Sequence, residues 1–269
     1  MNASVEGASS VRIAAILGIL AVCPCAFALN SPLDISQYAH TAWKVRNGFS
    51  RGAINSIAQT PDGYLWLGTE FGLLRFDGVR TVPWQPPAGE QLPSDAIGAL
   101  LAAGDGSLWI GTWKGLARWK DGRLTQYPAV AGAQVLSLIQ DHAGTVWFGV
   151  SELGKGRLCA IQDGKATCFG AGRLGNGVFA VYEDRKGTVW AASTTGLWRW
   201  TPDVPEQFPF PDKTSEANAL IEDDSGAILM ATNDGLKQLA VWVTSSVDEH
   251  GLAAAIDHYI PAAESAGAL

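Results

Sequence analysis

Apolar residues alternate along a short run that recurs five times in the chain. The runs are YLWLGT at 64–69, SLWIGT at 107–112, TVWFGV at 145–150, TVWAAS at 188–193 and AILMAT at 227–232. In the first, Leu65 and Leu67 point to one face of a strand, and Tyr64 and Trp66 to the other. A strand that is apolar on both sides belongs to a sheet covered on both sides. A glycine precedes each run, at 63, 106, 144, 187 and 226, so the copies stand 43, 38, 43 and 39 residues apart.

The first copy parses into four strands. INSIAQ (54–59) is turned by TPDG into YLWLGT, EFG turns that into LLRFDG (73–78), and an Asp-Gly hairpin returns the chain as VRTVPW (79–84). The second copy repeats the scheme as IGALLAAGDG, SLWIGT, WKG, LARWKDG and RLTQYP. Asp-Gly supplies the positive φ that tight turns need. One such meander cannot bury either apolar face alone. Stacking the copies radially solves this, which predicts an all-β protein, a β-propeller of four-stranded antiparallel blades. No copy shows the 3.6-residue period of a helical repeat. The blades are expected near 54–84, 97–128, 135–169, 178–210 and 217–240, within a propeller domain over 29–240. Trp66, Trp109, Trp147 and Trp190, at one position of the repeat, are expected to fill the gaps between blades. Trp119 and Trp198 are expected to pack against neighbouring blades.

The fifth copy is incomplete. NALIEDDSG, AILMAT and GLKQLAVW give three strands, with no hairpin and fourth strand after them. An unpaired strand, YAHTAWKV (38–45), precedes the first copy. Two readings stay open: this strand completes the last blade and closes a five-bladed ring, or the chain is a piece of a longer array. Residues 241–269 resemble no blade, read as helical or loosely ordered, and favour the second.

Of the 269 residues 47% are hydrophobic and 17% charged, which suits a folded body with a sizeable core. The net charge of −7 excludes nucleic acid as a partner. At the N-terminus Arg12 leads into an apolar run, Ile13–Val22, and Ala26-Phe27-Ala28 has the small-x-small form of a cleavage site. Residues 1–28 read as a signal peptide, too short in its apolar part to span a bilayer. The residues before Cys23 and Cys25 are Val22 and Pro24, which argues against a lipoprotein. The expected product is periplasmic or secreted. Cys159 and Cys168 flank the hairpin signal Asp163-Gly164. Pairing outward from that turn sets Cys159 opposite Cys168 in a non-hydrogen-bonded pair, with Cα atoms about 4.5 Å apart. A disulfide is expected there in an oxidising compartment; two reduced core cysteines are the alternative.

The segments TPDGYLWLGTEFGLLRFDG (60–78) and GDGSLWIGTWKGLARWKDG (104–122) resemble the two-component regulator propeller repeat. The lead-in QYAHTAWKVRNGFSRGAINSIAQ (37–59) is similar to the opening segment of that family, with Asn47-Gly48-Phe49-Ser50 where the family has Asp-Gly-Leu-Pro. The resemblance covers about 30–240. It implies the extracytoplasmic sensor region of bacterial hybrid histidine kinases and some diguanylate cyclases. Members of the family carry more repeats, forming two propellers, and then an immunoglobulin-like domain, a membrane helix and a signalling domain. This sequence shows none of those, so a detached or truncated sensor is expected, without kinase or cyclase activity.

Catalytic constellations are scarce. His40, His142, His250 and His258 read as structural or solvated, and His250 and His258 lack the i, i+4 spacing of a metal pair. Glu183-Asp184 and Asp223-Asp224 read as turn chemistry, and the Gly175–Gly177 stretch is no phosphate loop. No catalytic residue, metal or cofactor is expected. Binding is expected at one rim, where turns between second and third strands vary: Glu70-Phe71, Trp113-Lys114, Ser151-Glu152, Thr194-Thr195 and Asn233-Asp234. Glu70, Trp113, Lys114, Glu152, Thr195 and Asn233 are the ligand-binding candidates, Trp113 foremost because an exposed indole invites stacking. The expected ligand is a small polar molecule or a glycan, with a membrane signalling protein as partner. A protein-interaction scaffold and a propeller lyase or glycosidase are the alternatives.

Overall fold

Each copy of the repeat folds as a separate antiparallel sheet. The computed structural model describes Trp43, Ser50 and residues 52–239, apart from 171, 202–204, 211–216 and 234. The expected leader (1–28), the strand at 38–45 except Trp43, and the tail (241–269) lie outside the described residues, as do His40, His250, His258 and Asp234.

The first sheet holds β1 (Ile54–Gln59), β2 (Leu65–Thr69), β3 (Gly72–Phe76) and β4 (Thr81–Pro83). The second holds β5 (Ile97–Ala102), β6 (Leu108–Thr112), β7 (Gly115–Lys120) and β8 (Arg123–Gln126). The third holds β9 (Gln134–Gln140), β10 (Val146–Glu152), β11 (Lys155–Gln162) and β12 (Lys165–Phe169). The fourth holds β13 (Val178–Glu183), β14 (Val189–Ser193), β15 (Gly196–Trp200) and β16 (Glu206–Phe208). The fifth holds β17 (Ala217–Glu222), β18 (Ile228–Thr232) and β19 (Gly235–Leu239). Outer strand β4 is shorter than the run VRTVPW, because Asp77 Oδ1 accepts from the amides of Val79 and Arg80 at 2.9 and 2.8 Å and holds them in the turn.

Within the compact unit of residues 44–269, the first strand of each blade packs beside that of the next: β1 on β5, β5 on β9, β9 on β13, and β13 on β17. An apolar cluster fills each gap. Ala58, Trp66 and Leu73 meet Ile97, Leu100 and Ile110. Leu101, Trp109 and Leu116 meet Val135, Phe148 and Cys159. Ile139, Trp147 and Leu158 meet Val178, Val181 and Ala191. Tyr182, Trp190 and Leu197 meet Ala217, Ile228 and Met230. Each fully buried side chain of this kind contributes about 1.5–3 kcal/mol. Trp66, Trp109, Trp147 and Trp190 thus belong to four successive interfaces, and each meets an aromatic ring of its own outer edge: Trp84, Tyr127, Phe169 and Phe208, with centroids 6.0, 5.3, 6.3 and 5.8 Å apart. Trp119 lies in the first interface and Trp198 in the third.

The glycine that ends the apolar run has a specific task. A Cβ at Gly68 would stand 2.6 Å from Ile97 Cγ2, one at Gly111 2.6 Å from Val135 Cγ1, and one at Gly149 2.3 Å from the carbonyl oxygen of Val178. The next blade therefore seats its first inner-strand residue on bare backbone. Ile97, Val135, Val178 and Ala217, at that position, are fully buried. At the two ends of the array the equivalent surfaces are open: Ile54 and Ile57 of the first blade are 38% and 60% exposed, and Ile221 and Leu236 of the fifth are 57% and 51% exposed.

Cys159 and Cys168 form a disulfide across β11 and β12, with Cα atoms 4.0 Å apart. The register runs Gln162 with Lys165, Ile161 with Ala166, Ala160 with Thr167 and Cys159 with Cys168. Asp163 and Gly164 take φ values of 50° and 73° in the turn.

Candidate functional site

Two rims face opposite ways, and their construction differs. The turns joining first to second strands form one of them, and there the blades are tied to each other. Gln140 Oε1 accepts from the amide of Gly104 at 2.7 Å, Glu183 Oε2 from that of His142 at 2.8 Å, and Glu222 Oε2 from that of Arg185 at 2.7 Å. The acceptor always stands four residues before its turn glycine, and the donor two before the glycine of the preceding blade. Between the first two blades those places hold Ala102, which has no acceptor, and Pro61, which has no N–H to offer. Donor and acceptor are missing together.

The carboxylates of this rim are occupied by turns. Asp141 and Asp184 each accept the indole N–H of their own blade, Trp147 at 2.8 Å and Trp190 at 2.9 Å, while Thr60 takes that of Trp66 at 2.9 Å. Asp223 is held below the usual carboxylate range by the Ser225 hydroxyl and then by the Ala227 amide. Burial raises Asp105, but hydrogen bonds from Ser107 and Lys120 and the Arg118 charge outweigh it and hold that carboxyl well below the usual range. His142 pairs with Glu183 of the next blade, and this hydrogen bond, with the Glu183 charge behind it, lifts the imidazole above its ordinary pKa. Glu183-Asp184 and Asp223-Asp224 thus serve turns and blade contacts.

The opposite rim carries the turns between second and third strands together with the links between blades. The Trp113 amide donates to Ala96 O at 3.0 Å and the Gly132 amide to Lys114 O at 2.9 Å. Ser151 Oγ donates to Asn176 O at 2.6 Å, and the Asn176 amide to Thr194 Oγ1 at 2.9 Å. In four blades a hydroxyl at the strand end closes this turn: Thr69, Thr112, Ser193 and Thr232 donate to the carbonyls of Gly72, Gly115, Gly196 and Gly235 at 2.8–3.1 Å. With the backbone so fixed, Glu70 and Phe71 of the first blade and Trp113 and Lys114 of the second are exposed on the rim.

The sequence candidates divide there. Glu70, Trp113 and Lys114 are exposed on the rim, with Trp113 51% and the adjacent Phe71 62% accessible. Phe71 lies against Gly52 of the first link, where a Cβ would stand 2.8 Å from its ring. Thr195 is built into the scaffold, donating to Arg173 O at 3.0 Å and accepting the Trp198 indole N–H at 3.1 Å. Glu152 pairs with Arg157, and Asn233 Oδ1 accepts from Asn218 at 3.0 Å. Three of the six candidates therefore already have partners. Two rim groups escaped the sequence reading. Asp95 is exposed on the link that receives the Trp113 amide, and Leu153, 97% exposed with φ 48°, tips the long third-blade hairpin. The pair Leu153-Gly154 has the form of a two-residue hairpin turn, which is the signal that could have found it.

A model of the two component regulator propeller repeat matches residues 48–71 and 91–114. Each matched stretch takes in the first two strands of a blade and ends on a rim turn, at Phe71 and at Lys114. Those two stretches match as two-component regulator propeller repeats. No curated protein sequence matches it. Among solved structures, it is similar to the extracellular domain of a hybrid two-component system from B. thetaiotaomicron, at 18% identity and a TM-score of 0.56 over 68% of this chain and 26% of that one. Virginiamycin B lyase from Staphylococcus aureus is similar at 14% identity and a TM-score of 0.56, over 71% of this chain and 67% of that one. PorZ of Porphyromonas gingivalis, a surface component of the type-IX secretion system, is similar at 19% identity and a TM-score of 0.52, over 68% and 32%. The chain thus spans about a quarter of the first of these. At such identities the likeness shows the propeller fold.

Proposed function

We propose that this chain is an extracytoplasmic sensor propeller that binds a small polar molecule or a glycan on the rim around Trp113. One observation carries the reading: on a rim whose backbone is fixed turn by turn, Glu70, Phe71, Asp95, Trp113 and Lys114 present aromatic and charged groups to solvent. An aromatic face stacks on a sugar ring or other flat apolar surface, and charged neighbours fix its orientation. Likeness to the extracellular domain of a hybrid two-component system supports the sensor role. The apolar run before Ala28 supports export with cleavage after that residue, and none of the described helices is long and apolar enough to cross a membrane. The bound state would be read by a membrane signalling protein.

The enzyme reading has one observation behind it, the similarity to a lyase of the same fold. His142, the described histidine, lies on the rim opposite Trp113 and is paired with Glu183, which leaves the binding rim without it. The test is a glycan and small-metabolite screen read by tryptophan fluorescence. A hit bound by the native chain is expected to weaken at least about tenfold in Trp113→Ala, with the thermal midpoint unchanged. Binding of every hit unaltered by Trp113→Ala and Lys114→Ala, or turnover of a hit, overturns the proposal.

A further inference from the structure

A recess open to solvent lies where the link after the third blade meets the fourth. Its volume is about 220 Å³, and it is lined by Gly170, Arg173, Leu174, Trp198, Trp200 and Pro205. We infer that this cleft is a binding site for a small ring-bearing carboxylate. None of these residues belongs to the rim set around Trp113.

Arg173 supplies the charge of this recess. Its guanidinium stands 5.3 Å above the Trp198 ring, a cation–π distance. The other arginines that flank it in sequence are paired with acids, Arg157 with Glu152, Arg185 with Glu222 and Asp224, and Arg199 with Glu206. Arg173 has no acidic partner among the described residues. A guanidinium presents a planar fork of donors that matches a carboxylate, and one already laid on an indole loses little freedom when it binds.

Described residues around it are hydrogen-bonded and packed. The amides of Arg173 and Leu174 donate to Gly170 O at 2.9 and 3.3 Å, and Arg173 O accepts from the Thr195 hydroxyl at 3.0 Å. Leu174 is fully buried, and Gly170 takes a φ of 75° with the Leu174 side chain where its Cβ would be. The Trp198 indole N–H is spent on Ser193 and Thr195 at 3.2 and 3.1 Å, so its edge is anchored. Trp200 is held against Phe169 with ring centroids 5.2 Å apart. The cleft therefore offers apolar walls of indole, leucine and proline, with the Arg173 guanidinium, laid on the Trp198 ring, among its lining groups.

Size limits the occupant. The volume far exceeds the ~10–15 Å³ that one water needs and falls short of the ~300 Å³ at which drug-sized sites begin. A single ring with one carboxylate is the matching class. That chemistry could come from an aromatic acid or a sugar acid, and the probes separate the two.

The experiment is calorimetric titration of the full chain with benzoate and with glucuronate, against benzamide and glucose as uncharged controls. At least one of the two acids is expected to bind saturably with a Kd of about 1 mM, as small ligands do. The matching uncharged control and the Arg173→Gln variant are expected to lose about tenfold or more. Arg173→Lys keeps the charge without the fork and should fall between, while Arg80→Gln, an exposed arginine on the first blade, leaves binding as it was. Benzoate alone binding assigns an aromatic acid, and glucuronate alone a sugar acid. Saturable binding of neither, or binding that Arg173→Gln and Arg173→Lys both leave untouched, overturns the site.

Discussion

Gly149 shows how much a single residue carries. Its missing Cβ is the space in which the Val178 carbonyl sits, and backbone cannot move aside as a flexible side chain can. Gly149→Ala is expected to destabilise the fold by about 1–3 kcal/mol in urea denaturation, the usual cost of overpacking. At Gly144, in an open turn, a Cβ would meet only the end of Gln140 at 3.9 Å, so its cost is confined to backbone conformation. The recurrence of Gly at 68, 111 and 149 was plain in the sequence. Its reason was not, because the residue it accommodates lies 24 to 29 positions further along, in the next copy. The same holds for Gln140, Glu183 and Glu222. Only their shared spacing from the turn glycine hints that they reach across to another blade.

His142 adds a testable pH dependence at this scale. Its pKa is raised in the folded chain by Glu183. The stabilisation is then present in full below the unfolded value of about 6.5 and is lost as pH rises through the higher folded value. The thermal midpoint of the native chain relative to His142→Asn is expected to fall as the pH is raised from about 6 through the alkaline side of the unfolded value. A flat difference over that range would remove the pair from the account. Asp105 works in the opposite sense. Its depressed pKa means its pairs support the fold above the unfolded value of about 3.9 and fade as pH falls below it, by less than about 1 kcal/mol because the carboxylate is partly exposed.

At the level of elements, the third blade is built differently from the rest. Its middle strands run seven and eight residues where the others run five or six, and it carries the disulfide. The bridge closes a loop of ten residues, counted from Cys159 to Cys168. Reduction is expected to cost about 2–3 kcal/mol, measured as the shift in unfolding midpoint with and without dithiothreitol. The hairpin register around Asp163-Gly164 was legible because turn type and loop length fix it. The short outer strands were less so. Val79 and Arg80 read as the start of the outer strand, and the side chain of Asp77, in the hairpin turn, accepts both their amides and keeps them in the turn. The rim candidates divided for a similar reason. Thr195 and Glu152 are polar residues in turns, as Glu70 and Lys114 are, and only coordinates reveal that Arg173 and Arg157 engage the first two.

For the molecule as a whole, everything depends on consecutive blades hiding their apolar faces against one another in the same register. Ile97 seated on Gly68 is the first instance of that contact. It places the second-to-third turns of successive blades along one rim, and so sets Glu70 and Phe71 on the same rim as Trp113 and Lys114. A double-mutant cycle on the pair tests it directly, with Gly68→Ala, Ile97→Ala and the double variant compared by denaturant unfolding. Removing Cγ2 of Ile97 makes room for the new Cβ, so the double variant is predicted to be more stable than the summed single losses by about 1 kcal/mol or more. Losses that add to within a few tenths of a kcal/mol would contradict the packing of blade on blade and the rim that rests on it.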